Sequence, residues 1–159
     1  MAIYNIVKVG APNLREKAAP VTRFDKKLAK LMKDMAETMY RANGCGLAAP
    51  QIGLGKRIVV IDAGDGYGIR EFVNPVLSDP VGEEVDEEGC LSVPTYEGEV
   101  ERAAQITVTY QDAKGTHYRL TAQGLLARGL QPECDHPEGI LFIDKAISLT
   151  AKPKEEERI

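Results

Sequence analysis

No run of apolar residues in this 159-residue chain is long enough to cross a bilayer. Lys and Arg form no block and the net charge is −4, so a nucleic-acid backbone finds no electrostatic complement here. Met1-Ala2-Ile3-Tyr4 does not read as a signal peptide, and cysteine is limited to Cys45, Cys90 and Cys134. An odd cysteine count without a secretory leader argues against a disulfide framework and makes the cytoplasm the expected compartment. At least one thiol is then free to serve as ligand or nucleophile. Histidine is scarcer still, with His117 and His136 the whole supply. Repeats, low-complexity blocks and linkers are absent as well. A single domain over residues 1–159 is therefore expected, with a short N-terminal arm and a frayed C-terminal tail. A hydrophobic content of 43% and a charged content of 28% suit a globular protein with a real core.

What is present reads as α+β. Residues 3–24 mix short apolar pieces with Pro12 and Pro20 and form an irregular arm. From Asp25 the pattern turns helical: Leu28, Leu31, Met32, Met35 and Met39 recur at three- and four-residue intervals, with Gly44 as a stop. Such a methionine stripe is core rather than binding surface. Residues 57–62 read as a buried strand, followed by a glycine-rich turn at Gly64, Gly66 and Gly68. Residues 72–77 read as a weaker strand, with Pro75 at an edge or bulge. Ile106, Val108 and Tyr110 alternate with polar residues, residues 112–115 turn, and 117–121 alternate again, which makes a hairpin. An apolar helical segment then runs from Leu125 to His136, and residues 140–143 read as a short strand. Strands grouped before a late helix give the α+β order.

Three segments carry chemistry. Gly44-Cys45-Gly46-Leu47-Ala48-Ala49-Pro50-Gln51 opens like the dinucleotide fingerprint G-x-G-x-x-A, but a helix precedes it and Pro50 follows, the reverse of what that site needs. An extended chain, with glycines that let another backbone approach, fits better. A helix C-cap would explain Gly44 but leave Gln51 unexplained, and Gln51 is a neutral donor of the kind that stabilises an oxyanion. Glu88-Gly89-Cys90-Leu91-Ser92 places a cysteine where a small buried hydrophobe would serve as well. Gln131-Pro132-Glu133-Cys134-Asp135-His136 has the Glu and second His of a His-Glu-x-x-His metal motif, with Pro132 where the first His belongs.

Taken together, the three segments resemble the peptide deformylase family over nearly the whole chain. Asn13-Leu14-Arg15, Glu37-Thr38-Met39-Tyr40 and Leu141-Phe142-Ile143-Asp144 add to the likeness. The resemblance implies small mixed or antiparallel sheets packed around a central motif-bearing helix. It implies removal of the formyl group from N-formylmethionyl peptides by metal-bound water, held by one thiolate and two imidazoles. Cys90 matches the thiolate and His136 the second imidazole, while Glu133 matches the carboxylate that moves the proton. Gln51 and the backbone N–H of Leu91 match the oxyanion pair. Cys45, Gly46 and Gly89 match the edges along which the peptide lies, and Leu125, Arg128 and Gly129 fall at the wall of the methionine pocket. Ferrous iron is the implied metal, with zinc, nickel or cobalt able to replace it. Nascent chains are the implied partners. Contact with the ribosome gains no support from the mixed-charge tail at 152–159.

The departures lie in the third motif, where the family has His at 132 and Leu at 137. Proline offers a metal no donor atom, and inside a helix it costs about 3 kcal/mol. Pro137 is expected to push His136 away from helical dihedrals. Gly129 weakens the same helix by up to about 1 kcal/mol. Cys134 should face nearly away from position 132, Glu133 could bind metal only by ceasing to be a free base, and His117 reads as a solvated strand residue. Two readings stand side by side: a deformylase-type enzyme, and an impaired homologue that binds peptides without metal turnover.

Overall fold

The structure is a computed structural model that describes residues 3–152. The arm is mostly irregular, with one 3-10 turn at Pro12–Arg15. Helix α1 spans Lys26–Arg41 and begins on Asp25, whose carboxylate accepts from the Leu28 N–H at 3.1 Å. The helix ends before Asn43, which takes a left-handed φ of 59°. Strands β1 (Gly46–Ala48), β2 (Ile58–Ile61), β3 (Arg70–Val81), β6 (Gln105–Gln111) and β7 (His117–Gln123) form an antiparallel sheet in the order β1-β2-β3-β6-β7. Strands β4 (Glu84–Cys90), β5 (Val93–Arg102) and β8 (Ser148–Ala151) form a second antiparallel sheet in the order β4-β5-β8.

Strand β2 shows why the larger sheet sits where it does. All of Ile-Val-Val-Ile is buried, because both faces are covered. Ile58 and Val60 pack with Leu28, Met32, Met35 and Met39 of α1. Val59 and Ile61 pack with Leu126, Ala127 and Leu130 of helix α2, which spans Gly124–Asp135. The methionine stripe is core, as its spacing indicates. A third cluster, Leu14, Val93, Val100, Leu141 and Phe142, joins the smaller sheet to the arm.

Strand β3 is interior, and Pro75 falls in the register shift between Val73 and Val76, so the bulge alternative holds and the edge alternative does not. Asn74 seals this bulge with φ 51°, its amide donating to Val21 O and Gln111 Oε1 at 2.9 Å each. Residues 140–143 are not a strand. Leu141 and Phe142 are buried and lead into a 3-10 turn at Phe142–Asp144, where Asp144 accepts from the Leu141 N–H at 3.0 Å. The β4–β5 hairpin escaped the sequence reading because Glu84, Val85, Asp86 and Glu87 are all exposed, leaving no alternation to detect.

Helix α2 runs on through Pro132. Only the last turn lies beyond the proline, and the helix is held from the side by Leu130, wholly buried and worth about 1.5–3 kcal/mol. The Gln131 amide adds a pair of hydrogen bonds to the backbone of Ala103, donating to its O and accepting from its N–H at 2.9 Å each. His136, contrary to expectation, keeps helical dihedrals of φ −56° and ψ −46°. Pro137 lies in a 3-10 turn at His136–Glu138 that follows directly on α2. Its carbonyl accepts from the Ala18 N–H at 2.7 Å. Gly139 closes that turn at φ +77°, and a Cβ there would lie 2.5 Å from Arg15 O.

Replacing Pro132 by Ala should restore the helix donor and raise stability by up to about 3 kcal/mol in urea unfolding. An unchanged or lower midpoint would show that the proline ring contributes packing of its own.

Candidate active site

Strand β4 ends on Cys90, and a tight turn through Leu91 and Ser92 returns the chain to Val93 opposite it. The N-terminal arm pins this turn, with the Val9 N–H on Ser92 O at 2.7 Å and Lys8 Nζ on Leu91 O at 3.3 Å. His136, buried just past α2, brings Nε2 to 3.5 Å from Cys90 Sγ. Gln51 is buried in the 3-10 turn Ala49–Ile52, and its Oε1 accepts from the Ala48 N–H at 2.9 Å. That bond leaves Nε2 as the outward end, 3.5 Å from Cys90 Sγ and 3.2 Å from Ser92 Oγ. Glu133 lies against Gly46, where a Cβ would come within 2.8 Å of its Cγ. One Glu133 oxygen, Oε2, and His136 Nδ1 are buried with no hydrogen-bond partner among the described residues.

Cys45, Gly46, Gly89, Leu125, Arg128, Gly129, Pro132 and Glu133 meet on the wall of a cavity of about 300 Å³. A second cavity of about 580 Å³, lined in part by Cys90 and Leu91, shares Cys45, Gly46, Gly89 and Glu133 with the first. The two cavities lie side by side on these shared residues, and the candidates from all three segments border one of them or touch Cys90. Cys134 packs toward the sheet core and His117 is exposed on β7, so neither reaches the cleft. Arg128 also fastens α2 to the β4–β5 hairpin, since its guanidinium donates to Glu84 O, Asp86 O and Val100 O.

Sequence reasoning missed the charged group behind the cleft. Arg102 donates from Nε and Nη2 to the two Glu88 oxygens at 2.9 Å each, and from Nη1 to Asp135 Oδ2 at 2.8 Å. Arg128 Nη2 joins Glu88 at 3.0 Å, and Lys145 joins Asp135 at 3.2 Å. Glu88 and Asp135 both stood inside the motif segments, and that was the available signal. Nothing in the spacing pointed to Arg102 as their common partner.

Burial keeps the site in neutral forms. It pushes the Glu133 carboxyl up to about 8, with the Glu88 and Asp135 carboxylates adding to the effect. It pushes the Cys90 thiol up to about 12 and the His136 imidazole down to about 4. A buried carboxyl, a thiol, a neutral imidazole and an amide N–H with an enforced direction are thus gathered within reach of one cleft.

Known proteins match this chain closely. The sequence model of the polypeptide deformylase family matches residues 3–152. The peptide deformylase of Halothermothrix orenii is 49% identical over 149 residues, which cover 94% of this chain and 97% of that one. That of Desulfitobacterium hafniense is 51% identical over 146 residues, 92% and 96% of the two chains. The crystal structure of peptide deformylase from Thermotoga maritima superposes with a TM-score of 0.89 at 42% identity, covering 93% of this chain and all of that one. The chain belongs to the polypeptide deformylase family, whose general function is metal-dependent deformylation.

The donor set meets that metal only in part. A separation of 3.5 Å between Cys90 Sγ and His136 Nε2 suits two ligands of one tetrahedral ion, with bonds of about 2.3 and about 2.0 Å. Position 132 supplies no third donor. Among the described residues, no group of three His, Cys, Asp or Glu side chains comes together as a metal site. The residues present therefore do not make the three-ligand site.

Exchanging Arg102 for Met removes the partner shared by Glu88 and Asp135, leaves them only Arg128 and Lys145, and should cost up to about 3–5 kcal/mol in urea unfolding. Adding Glu88→Gln should recover part of it, and full additivity of the two losses would remove the interaction. Glu133 gives a pH signature in the metal-free protein. The folded state keeps its proton up to about pH 8 while the unfolded carboxyl loses it near its ordinary 4.5, so rising pH costs stability across that window. Glu133→Gln lacks this loss, and His136 is common to both proteins. The variant's stability advantage should grow from pH 4.5 to 8 and then level off; a constant difference would mean that Glu133 is ionised in the fold.

Proposed function

We propose that this chain hydrolyses the formyl amide of N-formylmethionyl peptides in the cleft between β1 and β4, releasing formate and a free amino terminus. Each of these strands is an outermost member of its sheet, and Cys45 and Gly46 line the cleft with Gly89. A peptide added along these edges is held through its backbone with little regard to sequence. The cavity bordered by Leu125, Arg128 and Gly129 is the place for the methionine side chain, which is unbranched and fills irregular space well.

The roles follow from chemistry and position. Glu133, ionised at the moment of attack, takes a proton from the water that adds to the formyl carbon. It then returns that proton to the departing nitrogen. Gln51 Nε2 and the Leu91 N–H donate to the oxygen that becomes negative as the carbon turns tetrahedral. Cys90 and His136 are the residues that would hold a metal. A thiolate and an imidazole suit ferrous iron, the metal the family likeness favours, and also zinc, nickel or cobalt. Taking up such an ion would release the Cys90 proton.

Nascent chains bearing formylmethionine are the proposed substrates, and the cytoplasm is the proposed compartment. None of the described helices is long and apolar enough to cross a membrane. The tail considered for ribosome contact falls almost wholly at 153–159, outside the described residues.

Gln51 is the observation that carries this reading. With its oxygen committed to the Ala48 N–H, its Nε2 is turned toward Cys90, where an oxyanion would need it. Formate release from formyl-Met-Ala tests it. Gln51→Ala should lower kcat/KM by about 10²–10³ while leaving the fold intact. Equal turnover by the variant would remove Gln51 from the reaction, and no formate release by the parent protein would remove the activity.

A further inference from the structure

The two cavities differ in charge. The smaller one, assigned to the methionine side chain, is bordered by Asp62, Glu87 and Glu88, and its only cation is Arg128. That guanidinium is already engaged by three carbonyls and by Glu88. The Tyr40 hydroxyl donates to Asp62 Oδ2 at 2.6 Å and holds that carboxyl below its ordinary range, so the border is acidic. The larger cavity is bordered by Lys8 and Lys152, and its one carboxyl, Glu133, is common to both cavities.

The two ammonium groups flank Cys90. Lys8 Nζ donates to Leu91 O at 3.3 Å, and Lys152 Nζ lies 3.5 Å from the point that a Cβ on Gly89 would occupy. Both backbones are anchored: the Lys8 carbonyl accepts from the Ala11 N–H at 3.1 Å, and the Lys152 N–H donates to Thr95 O at 2.9 Å. Both side chains are exposed, and neither takes part in an ion pair among the described residues.

An extended peptide would bring a partner to them. Gly46 and Gly89 border both cavities, so a backbone lying along them passes between the two. Successive side chains of an extended chain point to opposite sides. With methionine in the smaller cavity, the next side chain is turned toward the larger one. A carboxylate there meets two cations and can accept charge-assisted hydrogen bonds from them, whereas an ammonium is repelled.

We infer that Lys8 and Lys152 form a subsite for an acidic side chain at the residue after methionine, so that substrates opening formyl-Met-Glu or formyl-Met-Asp are preferred. This subsite rests on the deformylase reading for the placement of methionine, and on the structure for the two cations and their position.

The peptides formyl-Met-Glu-Ala, formyl-Met-Gln-Ala and formyl-Met-Lys-Ala test it, each amidated at the C-terminus so that the Glu side chain is the sole carboxylate. Two readouts are taken: formate release and, with an uncharged dye at the C-terminal end, binding by fluorescence anisotropy. Both kcat/KM and affinity should fall from Glu to Gln to Lys, by about two- to fivefold at each step. The differences should shrink at about 0.5 M salt. Lys8→Gln combined with Lys152→Gln should remove the difference between the Glu and Gln peptides, and Lys8→Glu combined with Lys152→Glu should invert it. Where formate is released, equal kcat/KM for the three peptides overturns the subsite; where none is released, equal affinities do. An order that survives the double Gln variant overturns it too, as does one seen only when Glu stands a residue later, in formyl-Met-Ala-Glu amide. Should the variants fail to fold, the ranking by the parent protein and its loss in salt still decide the matter. Formate from all three peptides at one rate sinks the subsite and keeps the deformylase reading. No formate from any of them, with the affinities still ranked, does the reverse.

Discussion

The side chain of Arg102, 3% exposed, ties together two parts of the chain that are distant in sequence. One carboxylate it holds, Glu88, lies two residues before Cys90, and the other, Asp135, directly precedes His136. The distance between the thiol and the imidazole is therefore fixed by a guanidinium that touches neither. Gln131 reinforces the tie one residue further along the chain from Arg102, through its two bonds to Ala103. A buried ion cluster of this kind adds little net stability, because desolvation offsets most of the attraction. What it contributes is geometry: a planar fork with fixed donor directions permits one arrangement of strand against helix. That arrangement survives a proline in the helix because it is anchored on both sides of Pro132.

The same enclosure decides the protonation of the cleft. Burial disfavours charge, so the carboxyl of Glu133 and the thiol of Cys90 hold their protons and His136 stays neutral. A divalent ion reverses that preference for the thiol. A metal held by Cys90 and His136 would therefore have to displace the Cys90 proton, in a site that is otherwise without charge at its centre.

Much of this was legible from residue order. The stripe of Leu28, Met32, Met35 and Met39, the run of residues 57–62 and the alternation on either side of residues 112–115 each carried a period that matches one element. The three motif segments come together in space, with Gly46, Gly89 and Glu133 lining both cavities and Gln51 and His136 against Cys90. The β4–β5 hairpin was invisible because its acidic strand faces solvent on both sides and is held by backbone pairing instead of an apolar face. Residues 140–143 misled for the opposite reason: a short apolar run is buried equally well as a strand or as a turn. The dihedrals of His136 went against the local preference before proline, in a stretch held by the Ala18 N–H on Pro137 O and by Cys90 against the imidazole.

Residue order alone determined the family and the periodic elements of the core, since these depend on which side chains occur and at what spacing. Tertiary structure decided which end of Gln51 faces Cys90, which residue joins Glu88 to Asp135, and whether helix α2 survives its proline. Each of those is a contact between segments far apart in the chain. Local spacing cannot encode the direction of an amide or the partner of a carboxylate, because both are set by what packs against them.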